Sequence, residues 1–279
     1  MAIQFTAETH KYESLDENNK IDWLSVTSFV SLFKPSFDKV GIATKASKNS
    51  RSKWFGLTPE EIIAIWEGET DRAITLGSWY HDQREAEVVM CETLQRSGID
   101  LPIIRPIEQG GVKLSPDQNL TPGIYPEHLV YLKSAGLCGQ ADRVEIIQDK
   151  IDLFDYKTNK EIKTEGFTNW EGVTEKMLGP CSHLDHCNYN HYALQLSTYM
   201  YMMQKHNHQL KEGKIQIHHI KFDVDSYDEY GYPITAMDPN GDPLVKEVVP
   251  YDLPYYKTEV RNMIKYLKLH PEAIKNGTV

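Results

Sequence analysis

Gly139-Gln-Ala-Asp-Arg-Val-Glu-Ile-Ile-Gln-Asp-Lys-Ile-Asp-Leu-Phe-Asp-Tyr-Lys157 is the stretch whose reading decides how this chain folds. Two runs rich in β-branched and aromatic residues flank the polar Gln148-Asp149-Lys150, a pattern that predicts a tight β-hairpin. With a two-residue turn at Gln148-Asp149, Asp142 faces Asp155 across the pair. Side chains alternate along a strand, so Asp155 and Lys157 share a face, together with Val144, Ile146, Ile151 and Leu153. That face is an apolar floor leading up to two carboxylates and an ammonium. Such charges are costly to hold at the end of a buried hairpin, and binding a divalent cation is the role that suits them.

The 279 residues, 40% hydrophobic and 25% charged, are ordinary for one soluble globular domain. We expect a single domain over 1–279, with an N-terminal helical region at about 25–95 and a catalytic core at about 70–270. No segment approaches the roughly 20 apolar residues of a membrane helix, so no membrane association is expected. The start, Met1-Ala-Ile-Gln-Phe, carries neither a basic nor an apolar leader region, which predicts no signal peptide. Cys91, Cys138, Cys181 and Cys187 make no disulfide framework in a chain this long, and a reducing, cytoplasmic setting is expected. The net charge of −10 argues against a protein that coats duplex nucleic acid by bulk attraction. It leaves room for an enzyme that grips nucleic acid locally and offsets acidic ligands with metal. Lys39, Lys45, Lys48, Arg51 and Lys53 run against the acidic average. Such a run is most often a solvated helix face; its functional reading is a strip that tracks phosphates.

Along the chain, residues 3–12 are expected to pair with 20–24 across the turn Asp16–Lys20. Ser25-Val-Thr-Ser28 predicts entry to a helix carrying Phe29, Leu32 and Phe33 inward. Thr58-Pro-Glu-Glu61 is a capping box opening a helix that buries Ile62, Ile63 and Trp66, and a second helix is predicted from about Arg72 to Leu94. Residues 99–127, rich in proline and glycine, read as mostly irregular with a strand or two. Residues 158–187 read as a long loop or lid. A helix over about 190–205, strands at 214–225 and 244–251 around a turn-rich insertion, and an amphipathic helix over 254–269 complete the order. Helix, sheet, helix, strands, helix implies one central sheet covered on both sides, an α/β (α+β) arrangement.

Three pieces of chain carry chemistry. Gly77, His81 and Glu85 are four apart and line one helix face, the glycine allowing close approach. The hairpin contributes Asp142, Asp155, the Tyr156 carbonyl and Lys157. Hard oxygen donors from two carboxylates suit magnesium beside a phosphate, and Lys157 is placed to orient a water or stabilise developing charge. Gln195 and Tyr199 form a third i, i+4 pair, offering an amide, a hydroxyl and an aromatic ring. Taken singly, Asp-Tyr-Lys is a weak pattern, and a helix edge carrying Gln and Tyr is unremarkable. Cys181, His183, His186 and Cys187 put four potential metal ligands in a short span, but too tightly for the common zinc patterns, and loop residues are the favoured reading.

With its pieces in this order, the chain resembles the RecB-type branch of the PD-(D/E)XK nuclease superfamily. The likeness rests on Gly77/His81, Asp142, Asp155/Lys157 and Gln195/Tyr199, spans roughly residues 70–205, and extends through Ser25-Val-Thr27 to phage-type and mitochondrial genome maintenance exonucleases. Ala141, where proline is common, is a departure this branch tolerates. The resemblance implies a restriction-endonuclease-like core, a central mixed sheet flanked by helices, that hydrolyses DNA phosphodiester bonds with Mg2+ or Mn2+. By matching position His81, Asp142 and Asp155 would hold the metal and Lys157 would be catalytic with the two aspartates; the residues themselves add the Tyr156 carbonyl as a further metal ligand and Glu85 as a further catalytic candidate. Gln195 and Tyr199 would position substrate, with Lys45, Lys48 and Arg51 as further DNA contacts. Some relatives hold an iron–sulfur cluster through cysteines downstream of the Gln-x-x-x-Tyr helix; all four cysteines here precede Gln195, so none is expected. The expected substrate is DNA with free ends, single strands favoured. A non-catalytic nucleic-acid-binding protein, a structure-specific endonuclease and a hydrolase of smaller phosphoesters are the alternatives.

Overall fold

A computed structural model describes residues 3–279 apart from Glu17 and Asn19. The hairpin β1 (Ile3–Thr6) and β2 (Lys11–Ser14) is followed by β3 (Leu24–Ser25), which leads directly into α1 (Val26–Ser31). Helices α2 (Lys39–Lys48) and α3 (Pro59–Val89) precede four short strands, β4 (Thr93–Arg96), β5 (Ile99–Pro102), β6 (Ile107–Gln109) and β7 (Val112–Leu114). Three long strands follow, β8 (Gly123–Leu132), β9 (Leu137–Ile147) and β10 (Lys150–Lys157), then α4 (Asn188–His206) beyond a loop. The last elements are β11 (Lys211–Phe222), β12 (Val224–Tyr227), β13 (Pro233–Thr235), β14 (Val245–Asp252), α5 (Lys257–Leu269) and α6 (Glu272–Asn276).

The β9–β10 hairpin forms in the register its sequence predicts, Ile151 opposite Ile146 and Leu153 opposite Val144, with Gln148 turning through a positive φ of 58°. It occupies the middle of a mixed six-stranded sheet ordered β14-β11-β10-β9-β3, with β8 also paired to β9. Because β10 and β11 run parallel, the chain must cross back over the sheet between them, and α4 is that crossover. Val144, Ile146, Ile151 and Leu153 are buried under Leu194, Met200 and Met203 of α4, Phe29 of α1 and Met263 of α5. Each such fully buried aliphatic side chain contributes about 1.5–3 kcal/mol. On the opposite face, Trp79 and Tyr80 of α3 pack against Tyr156, Ile220 and Phe222. Helices thus cover both faces of an α+β fold.

The capping box at α3 is closed on both sides: Glu61 N–H donates to Thr58 Oγ1 at 3.2 Å, and Thr58 N–H donates to Glu61 Oε2 at 2.7 Å. Beyond it the structure corrects several expectations. One 31-residue helix replaces the two predicted ones, since Gly68, Thr70 and Asp71 near the expected break only weaken the helix and no proline there stops propagation. It ends at Val89 because Ser97 and Gly98, at φ of 50° and 79°, turn residues 93–102 into a hairpin. Strand β1 pairs with β2 and β7, not with residues 20–24; Phe5 lies opposite Tyr12 with ring centroids 4.7 Å apart, a cross-strand contact that favours the tighter return. The turn expected at Asp16–Lys20 includes Glu17 and Asn19, which lie outside the described residues. Residues 99–127 hold three short strands and the start of β8, more order than proline and glycine suggested, and the turn-rich insertion adds the β12–β13 hairpin.

Gly139 is required by packing. A Cβ built there would lie 2.7 Å from Tyr199 Cε1 on α4. Gly139→Ala is therefore expected to lower stability by about 1–3 kcal/mol, the usual range for overpacking a core. Urea unfolding with an unchanged midpoint would show that α4 yields freely at this point.

Candidate metal and catalytic centre

Three segments distant in sequence meet at one end of the hairpin. Gly77, Ser78, His81, Asp82 and Glu85 of α3 line a cleft of about 700 Å³. Across it stand Gln140, Asp142 and Lys157 of the hairpin with Gln195 and Tyr199 of α4. A Cβ on Gly77 would sit 3.2 Å from Thr158 Oγ1, so the glycine lets the chain leaving β10 run close to the helix. The fourth side is the small antiparallel sheet β2-β1-β7-β6, which contributes Phe5, Tyr12 and Lys113.

His81 and Asp142 come together as the sequence predicts, Nδ1 lying 3.3 Å from Asp142 Oδ2. His81 Nε2 is 3.2 Å from the Tyr156 carbonyl, which can only accept. Nε2 therefore carries the proton, and in the neutral imidazole Nδ1 presents its lone pair to the cleft. Tyr156 also donates its N–H to Asp142 Oδ2 at 2.9 Å. Its backbone thus orients two prospective ligands, and its carbonyl, itself an expected ligand, has one of its two lone pairs engaged by His81.

Among the described residues, the group with donor atoms suited to a cation is His81, Glu127 and Asp142, all within 4.8 Å of one another. An imidazole nitrogen with two carboxylates fits a divalent ion such as Mg2+ or Mn2+. Asp155, opposite Asp142 in the hairpin, is 3% exposed and in contact with Lys157 Nζ. Burial, reinforced by the charge of Asp142, pushes the Asp155 carboxyl up to about 6, with Lys157 opposing. Burial disfavours the Lys157 ammonium in turn, but Asp155 and Asp142 outweigh it and hold its pKa above the usual lysine value.

Glu127 was missed because Pro126, after a proline-rich stretch, reads as the end of an irregular segment. In the structure Pro126 is paired within β8, and its missing N–H is tolerated because β8 has β9 as its one long partner. Glu127 falls opposite Asp142, between the pairs Pro126–Arg143 and His128–Ala141, with an unusual φ of 48°. Burial, then repulsion from Asp142, raises its carboxyl well above the ordinary glutamate value, with Lys113 opposing. The available signal was a lone acid inside the apolar run Gly123–Leu132.

The other expected residues divide. Glu85 reaches the cleft but is engaged by Lys113, whose Nζ lies 3.0 and 3.2 Å from its two oxygens. Tyr199 is 4% exposed, held by Gln195, with its ring against Gly139, so no face is open for stacking a base. Lys45, Lys48 and Arg51 are exposed, on α2 and the turn after it, outside the cleft lining; α2 packs instead against the first half of α3, where Lys39 pairs with Glu67. Cys181, His183, His186 and Cys187 do not converge: His183 pairs with Glu259 at 3.3 Å, His186 with Glu175 at 2.8 Å, and both cysteines are buried. All four cysteines are free thiols, and burial pushes Cys138 and Cys181 up to about 12, which makes them poor nucleophiles. Among the described residues no helix is long and apolar enough to cross a membrane. Compared with known proteins, the chain matches no family model and no curated sequence.

Proposed function

We propose that the chain is a metal-dependent deoxyribonuclease that hydrolyses phosphodiester bonds at DNA ends and favours single strands. The observation that carries this reading is the convergence of His81, Asp142, Lys157, Gln195 and Tyr199 around one cleft, with Asp155 buried against Lys157, although they come from three segments far apart in sequence, α3, the β9–β10 hairpin and α4. A magnesium or manganese ion bound there would polarise a phosphoryl oxygen and lower the pKa of a bound water. His81, Asp142 and Glu127 would hold it, with Asp155 beside them. Lys157 supplies a fixed positive charge against the phosphate and a donor that orients the attacking water. The Gln195–Tyr199 pair closes the end of the cleft beneath the hairpin. A cleft of about 700 Å³ matches the volume range of small-ligand sites, which suits a nucleotide or two of single strand better than a duplex.

The test is digestion of end-labelled linear and covalently closed circular DNA, single- and double-stranded, with magnesium, manganese or chelator. Linear single strands should shorten progressively with metal, circles should survive, and chelator should stop the reaction. Rapid cutting of closed single-stranded circles would establish an endonuclease. Binding without cleavage under every metal condition would establish the non-catalytic alternative, and cleavage confined to a small phosphodiester would remove DNA as the substrate.

A further inference from the structure

Lys113 stands out in the cleft because it comes from the peripheral sheet, not from the core. Its Nζ lies 3.0 Å from Glu85 Oε1, 3.9 Å from Glu127 Oε2 and 3.9 Å from Glu108 Oε1, and the side chain is 17% exposed. Glu127 is the shared member of two groups. On one side its carboxylate belongs with His81 and Asp142, and on the other it faces the Lys113 ammonium. In two-metal phosphoesterase sites a pair of cations about 3.5–4 Å apart commonly has carboxylate ligands between them. Here a side-chain ammonium, Lys113 Nζ, lies within reach of both Glu127 and Glu85.

We propose that Lys113 stands in for a second divalent cation, so that the centre takes up one metal ion per chain. The inference rests on the metal-site reading above. The local charges support it: Lys113 already meets the carboxylates of Glu85 and Glu127, so the acidic excess left to attract a metal lies on the Asp142 and Asp155 side of the cleft. Glu108 is more than half exposed, so water screens it. A second divalent ion would have to displace the ammonium from Glu85 and bring like charges together at short range.

Manganese alone, titrated into the intact protein by calorimetry and followed by electron paramagnetic resonance, tests this without DNA. The wild-type chain should bind one equivalent. Lys113→Gln, which removes the charge but keeps a hydrogen-bonding side chain, should bind two, the second more weakly. Lys113→Gln combined with Glu85→Gln should return to one, because the second position loses its carboxylate. Lys113→Arg should behave as wild type and shows that any change follows charge rather than damage to β7. Two equivalents in the wild type, or one in a folded Lys113→Gln variant, would overturn the proposal. No binding to any variant would overturn the metal site itself. One equivalent becoming two in a protein that cuts no DNA would leave this inference standing while the nuclease reading fell.

Discussion

Lys157→Ala is expected to reduce DNA cleavage by about 10²–10³-fold or more, the scale on which a preorganised donor at a developing charge matters. The residue touches Asp155, lies near the Tyr192 ring and lines the cleft, yet as an ammonium it cannot be a metal ligand. Manganese affinity at pH 8 should therefore change by only a few fold. The structural consequence is limited as well. Asp155, already raised to about 6 by burial and Asp142, loses its stabilising cation and takes up a proton more readily, instead of remaining an unpaired buried charge. Single-turnover rates measured with saturating metal separate the two effects. Near-normal turnover would remove Lys157 from the chemistry.

The second large effect is on stability, and its sign follows from the direction of the shifts. The folded-state carboxyls of Asp155 and Glu127 are both raised above their unfolded values, so both groups favour folding in their protonated forms. Their contribution is fully present below about pH 4 and is lost as pH rises through the folded values. For Asp155, moving from 3.8 to about 6, the loss is on the order of 2–3 kcal/mol by neutral pH. Metal-free protein should thus lose thermal stability as pH rises from about 4 through about 6 and into the neutral range, beyond what surface groups contribute, and a bound divalent cation should restore it. Glu127→Gln removes a carboxylate that is opposed by Asp142, Glu85 and Asp155, with Lys113 as its nearby cation and the Gln140 amide donating to Oε2. The variant should match wild type near pH 4–5, exceed it in Tm at pH 8 without metal, and lose most of the gain in Tm that manganese gives wild type. Equal metal-induced stabilisation of both proteins would take Glu127 out of the ligand set. Asp142→Asn, which leaves the His81 and Tyr156 contacts geometrically possible, should likewise weaken manganese binding and remove cleavage.

Much of this arrangement could be read from the chain alone. The β9–β10 register followed from alternation and a two-residue polar turn, because shifting one residue would send Val144, Ile146, Ile151 and Leu153 to the wrong face. The start of α3 followed from local hydrogen-bonding chemistry at Thr58 and Glu61. The i, i+4 spacing of Gly77, His81 and Glu85, and of Gln195 and Tyr199, put each set on one helix face, which periodicity determines. The Asp155–Lys157 contact followed from strand alternation in the same way.

Other features depended on which surfaces the fold brings together, and no local pattern encodes that. Glu127 and Lys113 enter the centre only because β8 lies beside β9 and the β6–β7 hairpin joins the N-terminal strands at the cleft wall. Tyr199 offers the same ring in sequence whether exposed or buried; the absent Cβ of Gly139 draws that ring against the hairpin. Lys45, Lys48 and Arg51 form a basic run in the sequence, but their distance from the cleft is set by how α2 packs on the first half of α3. Local propensity and alternation therefore determined the elements and most ligand candidates. Long-range packing decided which charges face one another, because burial and neighbouring charge are properties of the assembled core.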